Sequence, residues 1–202
     1  MHVQGCAFCE RARLENVLSE SDNFFLLADH APLVEGHLLI IPRDHFACYG
    51  ALPVALENEL LTLKRRVSSF LESAYRQPAY FEHGVYRQTV FHAHLHAFPF
   101  GPINVDVHSL ATPEGRHVKS LADVRAWYAD HGQYFYLERP AHDGVPAEAA
   151  VFPPSEMVYF RVLGRLRDQT SSQGSWQPPA MRRILGESQV QSLVDAWRKY
   201  AG

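Results

Sequence analysis

One nine-residue segment, 90–98, alternates imidazoles with apolar side chains, and this alternation constrains the chain more than any other feature. Successive side chains of a β-strand point to opposite faces, so residues spaced by two share a face. A strand would therefore place three imidazoles on one face, about 7 Å apart: those of His92, His94 and His96. The intervening side chains, from Phe91 to Ala97, would turn to the other face and enter a core. Pro99 would end the strand.

A row of imidazoles has three candidate uses. Neutral imidazole is a common metal ligand. An imidazole nitrogen can also attack phosphorus and form a phosphoramidate that water then cleaves, while neighbouring imidazoles hold the phosphate and assist the leaving group as acids. The third use is a polar strand face at the edge of a sheet. Packing gives no reason to line one face with three imidazoles, so the pattern favours a functional role.

The remaining hydrophobic patterns predict an α+β chain. Apolar runs bounded by turn residues predict strands at 23–29, 37–41 and 79–83. Apolar residues recur at helical spacing between 53 and 75, and Pro53 suits the first turn of such a helix. We therefore expect a twisted, mainly antiparallel sheet with one long helix packed on it.

The second half of the chain carries weaker patterns. Prolines from Pro102 onward predict a loop-rich stretch, and residues 139–154 also have a loop composition. Other elements are predicted as helices at 121–128, 155–168 and 187–200, a strand at 133–138 and an exposed loop at 169–179. Arg161 is more typical of a solvated helix arginine than of a phosphate ligand. We expect a functional core at 1–100 and, at 101–202, an α+β extension packed on it as a cap or dimer interface.

Composition and charge exclude several classes of function. The chain has 202 residues, with 19 Lys and Arg against 22 Asp and Glu and a net charge of −3, so it lacks the basic excess that nucleic-acid coating needs. No stretch approaches the ~20 apolar residues of a membrane span, and no apolar secretory segment opens the sequence. Three cysteines do not make a disulfide framework. These features predict a cytoplasmic protein that binds neither nucleic acid nor membrane.

Three ordered blocks of sequence resemble the histidine triad (HIT) superfamily. The first, Cys6-Ala-Phe-Cys9, is similar to the N-terminus of bacterial members. The second runs from Asp29 to His45 and contains an acidic residue at a strand end, a Gly-His pair, an apolar strand and Pro-basic-x-His. The third, at 88–98, contains a polar pair followed by His-φ-His-φ-His-φ-φ, where φ is apolar, and every position matches. The resemblance covers about residues 5–100.

The resemblance implies a nucleotide hydrolase that works through a nucleotidyl-histidine. His94 matches the middle histidine, the nucleophile that attacks the α-phosphorus of a nucleotide conjugate. His96 matches the third histidine, which contacts the phosphate and the leaving group and marks the hydrolase branches, and His92 completes the catalytic row. The expected substrate is a dinucleoside polyphosphate or a nucleoside phosphoramidate, and the product is a nucleoside monophosphate. The family resemblance also implies a homodimer and no organic cofactor.

Substrate contacts are implied residue by residue. The carboxylate of Asp29 matches the group that binds the ribose hydroxyls, and Leu27 and His30 match positions beside the base pocket. His37 matches a histidine behind the triad, and Gln88 with Thr89 matches the polar pair at the phosphate. Many members carry Asn-x-Gly before the triad, and the Asn contacts the phosphate region. This chain has Glu82-His83-Gly84, one residue shorter, and an ionised Glu cannot donate a hydrogen bond to phosphate. Either His83 or Arg87 substitutes, or the substrate differs.

Zinc-bearing members hold the metal with the Cys-x-x-Cys pair, a histidine after the second strand and the first histidine of the triad. The matching residues are Cys6, Cys9, His45 and His92. Two thiolates and two imidazoles suit a closed, tetrahedral structural zinc site, which would brace the strand that carries His94. The alternative is a pair of ordinary thiols.

Two rival functions stay open on the sequence alone. The site could bind a nucleotide without turnover, as a sensor or scaffold, and the altered Glu82-His83-Gly84 stretch is the feature that favours this. The triad itself could instead be a catalytic metal site.

Overall fold

Eight strands form one antiparallel sheet within the residues that the computed structural model describes, namely 2–101, 115–141, 146–156, 160, 164 and 177–202. In chain order the strands are β1 (Val17–Glu20), β2 (Phe24–Ala28), β3 (Leu38–Pro42), β4 (Ala79–Glu82), β5 (Leu95–Phe98), β6 (Arg116–His117), β7 (Phe135–Arg139) and β8 (Glu148–Phe152). Their order across the sheet is β1-β2-β3-β5-β4-β7-β8-β6. Helices α1 (Glu57–Ala74), α2 (Leu121–His131) and α3 (Pro179–Ala201) complete this α+β architecture, as the sequence predicts.

The core lies between the sheet and α1. Apolar residues recur at helical spacing along α1 and are buried together, namely Leu60, Leu63, Val67, Phe70 and Leu71. They pack in one cluster with alternate residues of the central strands, such as Leu38, Ile40 and Leu95. Because side chains alternate along a strand, the residues between these face away from α1 and form the floor of a second surface. The candidate site lies on that second surface.

The strand at the triad is shorter than the sequence predicts. It covers Leu95–Phe98 rather than 90–98, so only His96 of the three histidines lies in the sheet. The N–H of His92 donates to the carbonyl of Val90, two residues earlier, at 2.8 Å, and this local bond replaces a cross-strand partner. Phe91, which the alternation assigned to the buried face, is 61% exposed. The prediction of three imidazoles on one strand face is therefore wrong.

The second half of the chain continues the same sheet. β7 pairs with β4, and β8 pairs with β7, both antiparallel. The structure confirms the predicted helix at 121–128 and strand at 133–138, as α2 and β7. The prediction of a loop throughout 139–154 is wrong, because β8 lies within it. Its Glu-Ala-Ala start has no strand pattern, and its stability comes from pairing with β7 and from the burial of Val151 and Phe152.

Some predictions fall outside the described residues. These are the loop-rich stretch from Pro102 to 114, most of the helix at 155–168 with its Arg161, and the loop at 169–176. None of the described helices is long and apolar enough to cross a membrane. The proposed division of the chain at residue 100 stays a prediction.

Helix α3 begins at Pro179, well before the predicted start at 187, and it docks on the first half of the chain. Near its C-terminus Trp197 is 2% exposed, and its ring lies edge-on to that of Phe70, 5.0 Å away. Near its N-terminus Gly186 rests on Pro32, where a Cβ would lie 2.6 Å from the proline ring. The absence of a side chain at Gly186 therefore lets the helix pass close over the loop after β2.

Trp197→Ala is expected to lower the free energy of unfolding by about 3–5 kcal/mol, because it removes a buried aromatic side chain and leaves a cavity against α1. Urea unfolding followed by circular dichroism measures the change. Tyr200→Ala is the matched control, since the Tyr200 ring contacts the same Phe70 ring at 5.3 Å but is 38% exposed. Equal losses in the two variants would contradict the docking described for α3.

Candidate active site and metal cluster

A cavity of about 520 Å³ opens on the sheet surface that faces away from α1. Seven site residues predicted from the sequence line it, namely Leu27, Asp29, His30, His37, Thr89, His94 and His96. They come from the end of β2, from the start of β3 and from the triad segment, which adjacent strands bring together. In the sheet Leu39 pairs with His96 on one side and Phe81 pairs with it on the other.

Two predicted residues point elsewhere. The side-chain amide of Gln88 donates to the carbonyl of Ala47 at 3.0 Å, so it supports the loop before the helix rather than lining the cavity. The His92 ring turns toward the cysteines, and its Nε2–H donates to the carbonyl of Pro42 at 2.8 Å. The part of His92 that serves the cavity is its backbone carbonyl.

That carbonyl orients the central histidine. His94 Nδ1–H donates to the carbonyl of His92 at 2.7 Å, which fixes the tautomer with an unprotonated Nε2. His94 is 5% exposed, and burial lowers its pKa below the usual value because the imidazolium loses its hydration. The ring is therefore neutral at pH 7 and presents a nitrogen lone pair, which a nucleophile requires.

A chain of hydrogen bonds orients His96. The N–H of Leu33 donates to Nδ1 of His37 at 3.3 Å, so the proton of His37 resides on Nε2. Oδ2 of Asp29 also lies 3.3 Å from this Nδ1, but no hydrogen bond joins the two. That Nε2–H donates to Nδ1 of His96 at 2.9 Å, which leaves the proton of His96 on its own Nε2. This buried Nε2 has no partner among the described residues. It is therefore a hydrogen-bond donor available to an oxygen of a bound ligand.

Burial keeps three further imidazoles of the cavity neutral as well. It lowers the pKa of His37 and of His83 to about 4, and the pKa of His96 well below its usual value. His83 lines the cavity beside His96, with ring centroids 5.9 Å apart. Arg87, the other substitute considered for the family's Asn, also lines it. Both candidates are thus placed where a ligand would lie.

Glu82 points into the core instead. Its carboxylate accepts hydrogen bonds from the N–H of Tyr49, at 2.7 Å, and from the hydroxyl of Tyr134. These donors stabilise the anion, but burial has the larger effect and raises the pKa of Glu82 to about 8. The substitution of Glu for Asn therefore removes a side chain from the cavity and adds a buried support behind it.

This buried carboxyl predicts a loss of stability at high pH. The folded pKa of about 8 exceeds the ordinary value of 4.5, so the folded state holds the proton across this window and loses stability as pH rises through it. Glu82→Gln cannot ionise and so should not lose this stability. When the pH rises from 5 to 9, its free energy of unfolding is expected to increase by roughly 2–5 kcal/mol relative to that of the wild type. Urea unfolding at both pH values measures this. Glu72→Gln, on the exposed surface of α1, is the control and should show no such gain.

Four residues form a compact cluster of metal-ligand atoms beside the cavity. The ligand atoms of Cys6, Cys9, His45 and His92 all lie within 4.8 Å of one another. Cys9 Sγ lies 3.4 Å from Nδ1 of His45 and 3.5 Å from Nδ1 of His92. The bond from His92 Nε2–H to Pro42 leaves Nδ1 as a free lone pair facing the thiols. Two thiols and two imidazole nitrogens at this spacing fit a tetrahedral zinc ion.

A second group of ligand atoms belongs to Asp29, His37 and His96, which also lie within 4.8 Å of one another. The two imidazoles share the 2.9 Å hydrogen bond described above. The nitrogens that face each other are thus already paired. This group is therefore a weaker metal site than the cysteine cluster.

Phe8 connects the cysteine cluster to the cavity. It lies between the two cysteines in sequence and lines the cavity. Its ring makes edge-on contacts with His92, at 5.8 Å, and with His94, at 5.5 Å. Ordering of the N-terminal segment by a metal would therefore also fix a wall of the cavity.

The cavity includes residues that sequence patterns did not indicate. Helix α3 contributes Pro179, Arg182 and Arg183, and the N-terminal segment contributes Arg13. No local pattern distinguishes these arginines from solvated ones. Arg182 lies more than 80 residues beyond the triad in sequence, so only the docking of α3 brings it to the cavity.

Comparisons with known proteins identify a family for part of the chain. The HIT domain family model matches residues 11–101, and no curated protein matches the chain. A HIT family protein from Bacillus anthracis is 20% identical, with a TM-score of 0.44 over 63% of this chain and 96% of that one. A HIT family hydrolase from Clostridium thermocellum is 24% identical, with a TM-score of 0.42 over 52% and 96%. A Zn-bound histidine triad family protein from Mycobacterium smegmatis is 23% identical, with a TM-score of 0.42 over 62% and 94%.

The family match spans β1 to β5, α1 and the triad, and it includes most of the residues that line the cavity. Residues 11–101 thus match the HIT domain family, and for this part of the chain the match confirms the resemblance to the histidine triad superfamily.

Proposed function

We propose that the protein is a hydrolase of nucleotide conjugates that cleaves the linkage at the α-phosphorus and releases a nucleoside monophosphate. The observation that carries this proposal is the hydrogen bond from His94 Nδ1–H to the carbonyl of His92. It leaves a neutral imidazole with an unprotonated Nε2 in a cavity that also offers a free N–H on His96. A nucleophile and a donor to the phosphate are thereby provided side by side.

The proposed reaction has two steps. In the first, His94 Nε2 attacks the α-phosphorus, a phosphorus–nitrogen bond forms, and the leaving group departs with the electron pair of the bond that breaks. The His94 ring now carries a positive charge, which the carbonyl of His92 stabilises through Nδ1–H. In the second step water attacks the phosphorus and loses a proton to solvent, and His94 leaves as a neutral imidazole. His96 Nε2–H donates to a phosphate oxygen throughout.

The test is release of nucleoside monophosphate from a panel of adenylated and guanylated conjugates. A reaction quenched in alkali, which preserves phosphoramidates, should show by mass spectrometry one nucleotidyl group on the peptide that contains His94. Release without this adduct would contradict the covalent route. Tight binding of the monophosphate without any release would favour the nucleotide-binding sensor or scaffold.

We further propose that the cysteine cluster holds a structural zinc ion. Its support is the donor set of Cys6, Cys9, His45 and His92 and the orientation of the His92 ring by Pro42. Bound zinc would join the N-terminal segment to β3 and to the triad segment and hold Phe8 against His94. The metal would have no part in the chemical steps.

Removal of this metal is expected to destabilise the fold. The variant Cys6→Ser, Cys9→Ser should lose one zinc per chain by atomic emission and at least about 3 kcal/mol of unfolding free energy. Cys48→Ser is the control for metal content, because Cys48 is buried outside the cluster. Unchanged zinc in the double variant would contradict the proposal and point to Asp29, His37 and His96. Complete loss of metal with retained turnover would eliminate the catalytic-metal alternative.

A further inference from the structure

Four arginines line the cavity, and one of them differs from the others. Three are paired with carboxylates within 3 Å, namely Arg13 with Glu10, Arg87 with Glu156 and Arg183 with Glu15. Arg182 instead donates to two backbone carbonyls, those of Ala31 at 3.1 Å and of Gln177 at 3.4 Å. Carbonyls carry no net charge, so among the described residues the charge of Arg182 has no carboxylate counterion.

The position of Arg182 is set by the fold. Gly186, one helical turn further along α3, contacts Pro32 closely enough that a Cβ would clash. This contact places Arg182 over Ala31, in the loop that also contains Leu33, the donor to His37. Arg182 is half-buried. It has five N–H groups, and the two described bonds leave others for a ligand.

The charge of Arg182 acts on the histidines that would meet the phosphate. It contributes to the lowered pKa of His37 and of His96, as a nearby positive charge disfavours an imidazolium. Because His37, His94 and His96 are neutral, they supply hydrogen bonds but no positive charge. Arg182 is therefore a cation of the cavity that has no carboxylate partner among the described residues and can compensate new negative charge on a bound ligand.

The two candidate substrate classes differ in that charge. When a dinucleoside polyphosphate is cleaved, the bridging oxygen keeps the electron pair and leaves as a phosphate oxygen, so negative charge develops on the leaving group. When a phosphoramidate is cleaved, the leaving nitrogen takes a proton and leaves as a neutral or cationic amine. A fixed guanidinium stabilises the anionic phosphate leaving group and does not stabilise the neutral or cationic amine.

We propose that Arg182 binds the phosphate of the leaving group and that the preferred substrates are nucleotide conjugates whose leaving group is itself a phosphate. This inference rests on the proposed function for the identity of the reaction. It assigns the extension a role in substrate choice.

A binding experiment tests the assignment independently of turnover. ADP offers a β-phosphate in the place of the leaving phosphate, and AMP does not. Arg182→Gln is expected to weaken ADP binding roughly 10- to 100-fold in calorimetry and AMP binding less than about 3-fold, since one charge-assisted hydrogen bond to phosphate is lost. Arg198→Gln, on the same helix but outside the cavity and paired with Asp195, should change neither by more than about 3-fold. Equal losses for AMP and ADP, or no loss, would overturn the proposal.

A kinetic experiment separates this proposal from the proposed function. In Arg182→Gln, kcat/KM for diadenosine triphosphate should fall roughly 10- to 100-fold while that for adenosine phosphoramidate stays within about 3-fold. Arg182→Lys, which keeps the charge, should recover part of the loss. A defect in folding would instead lower kcat/KM for both substrates together. If the wild type cleaves neither conjugate, the proposed function fails, and the AMP and ADP affinities still decide the role of Arg182.

Discussion

His94→Ala is expected to lower the release of nucleoside monophosphate by a factor on the order of 10³ or more. The variant removes the nitrogen that forms the bond to phosphorus, and the neighbouring His96 cannot replace it, because its unpartnered Nε2 carries the proton. The measurement is kcat with the best conjugate of the panel. Binding of the monophosphate should change by less than about 10-fold, since the rest of the cavity is retained.

The control is His131→Ala. His131 is exposed at the end of α2, and its ring stacks on Trp127, so its loss should leave turnover unchanged. Turnover in His94→Ala above about a tenth of the wild-type value would show that His94 is not the nucleophile. The binding-module interpretation instead predicts that the wild type releases no nucleoside monophosphate.

Acidification is expected to cause the second large effect, a loss of stability between pH 6.5 and pH 4. The pKa of His37 and of His83 is about 4 in the folded state, against an ordinary value of 6.5. Below pH 6.5 the unfolded chain takes up protons that the buried imidazoles do not, so the unfolded state gains stability as pH falls. Each of the two imidazoles lowers the free energy of unfolding by up to about 3 kcal/mol once the pH has fallen from 6.5 to 4. Above pH 6.5 this loss is absent.

Urea unfolding at several pH values between 4 and 7 measures this dependence. In His83→Gln, which cannot take up a proton, the loss of stability on acidification should be smaller than in wild type. His131→Gln should leave the dependence unchanged, because His131 is exposed. Parallel curves for wild type and His83→Gln would contradict the assignment of buried, neutral imidazoles.

Local sequence patterns identified residues that the fold brings together. The Cys6 to Cys9 pair, the block from Asp29 to His45 and the triad are local patterns, and the sheet brings them together. The orientation of each ring could not be predicted in this way. Alternation assigns His92, His94 and His96 to one face, whereas the local bonds of the backbone before β5 turn His92 toward the cysteines.

The extension shows the opposite case. β8 was missed because its short, alanine-rich sequence becomes a strand only beside β7. Helix α3 was predicted from the apolar spacing of Val190, Leu193 and Trp197, but its first turns, which carry Arg182, have exposed apolar residues and no helical stripe.

The sequence by itself determined the α+β class, the long helix, the Cys-x-x-Cys pair and the histidines of the triad, because periodicity and residue chemistry act over short stretches of chain. Only the tertiary structure decided which nitrogen of each imidazole is free, since that depends on carbonyls and N–H groups from other segments, such as Pro42 and Leu33. It also decided that Arg182 faces the cavity. Long-range packing of α3 on the loop after β2 sets that position, and no property of the local sequence encodes it.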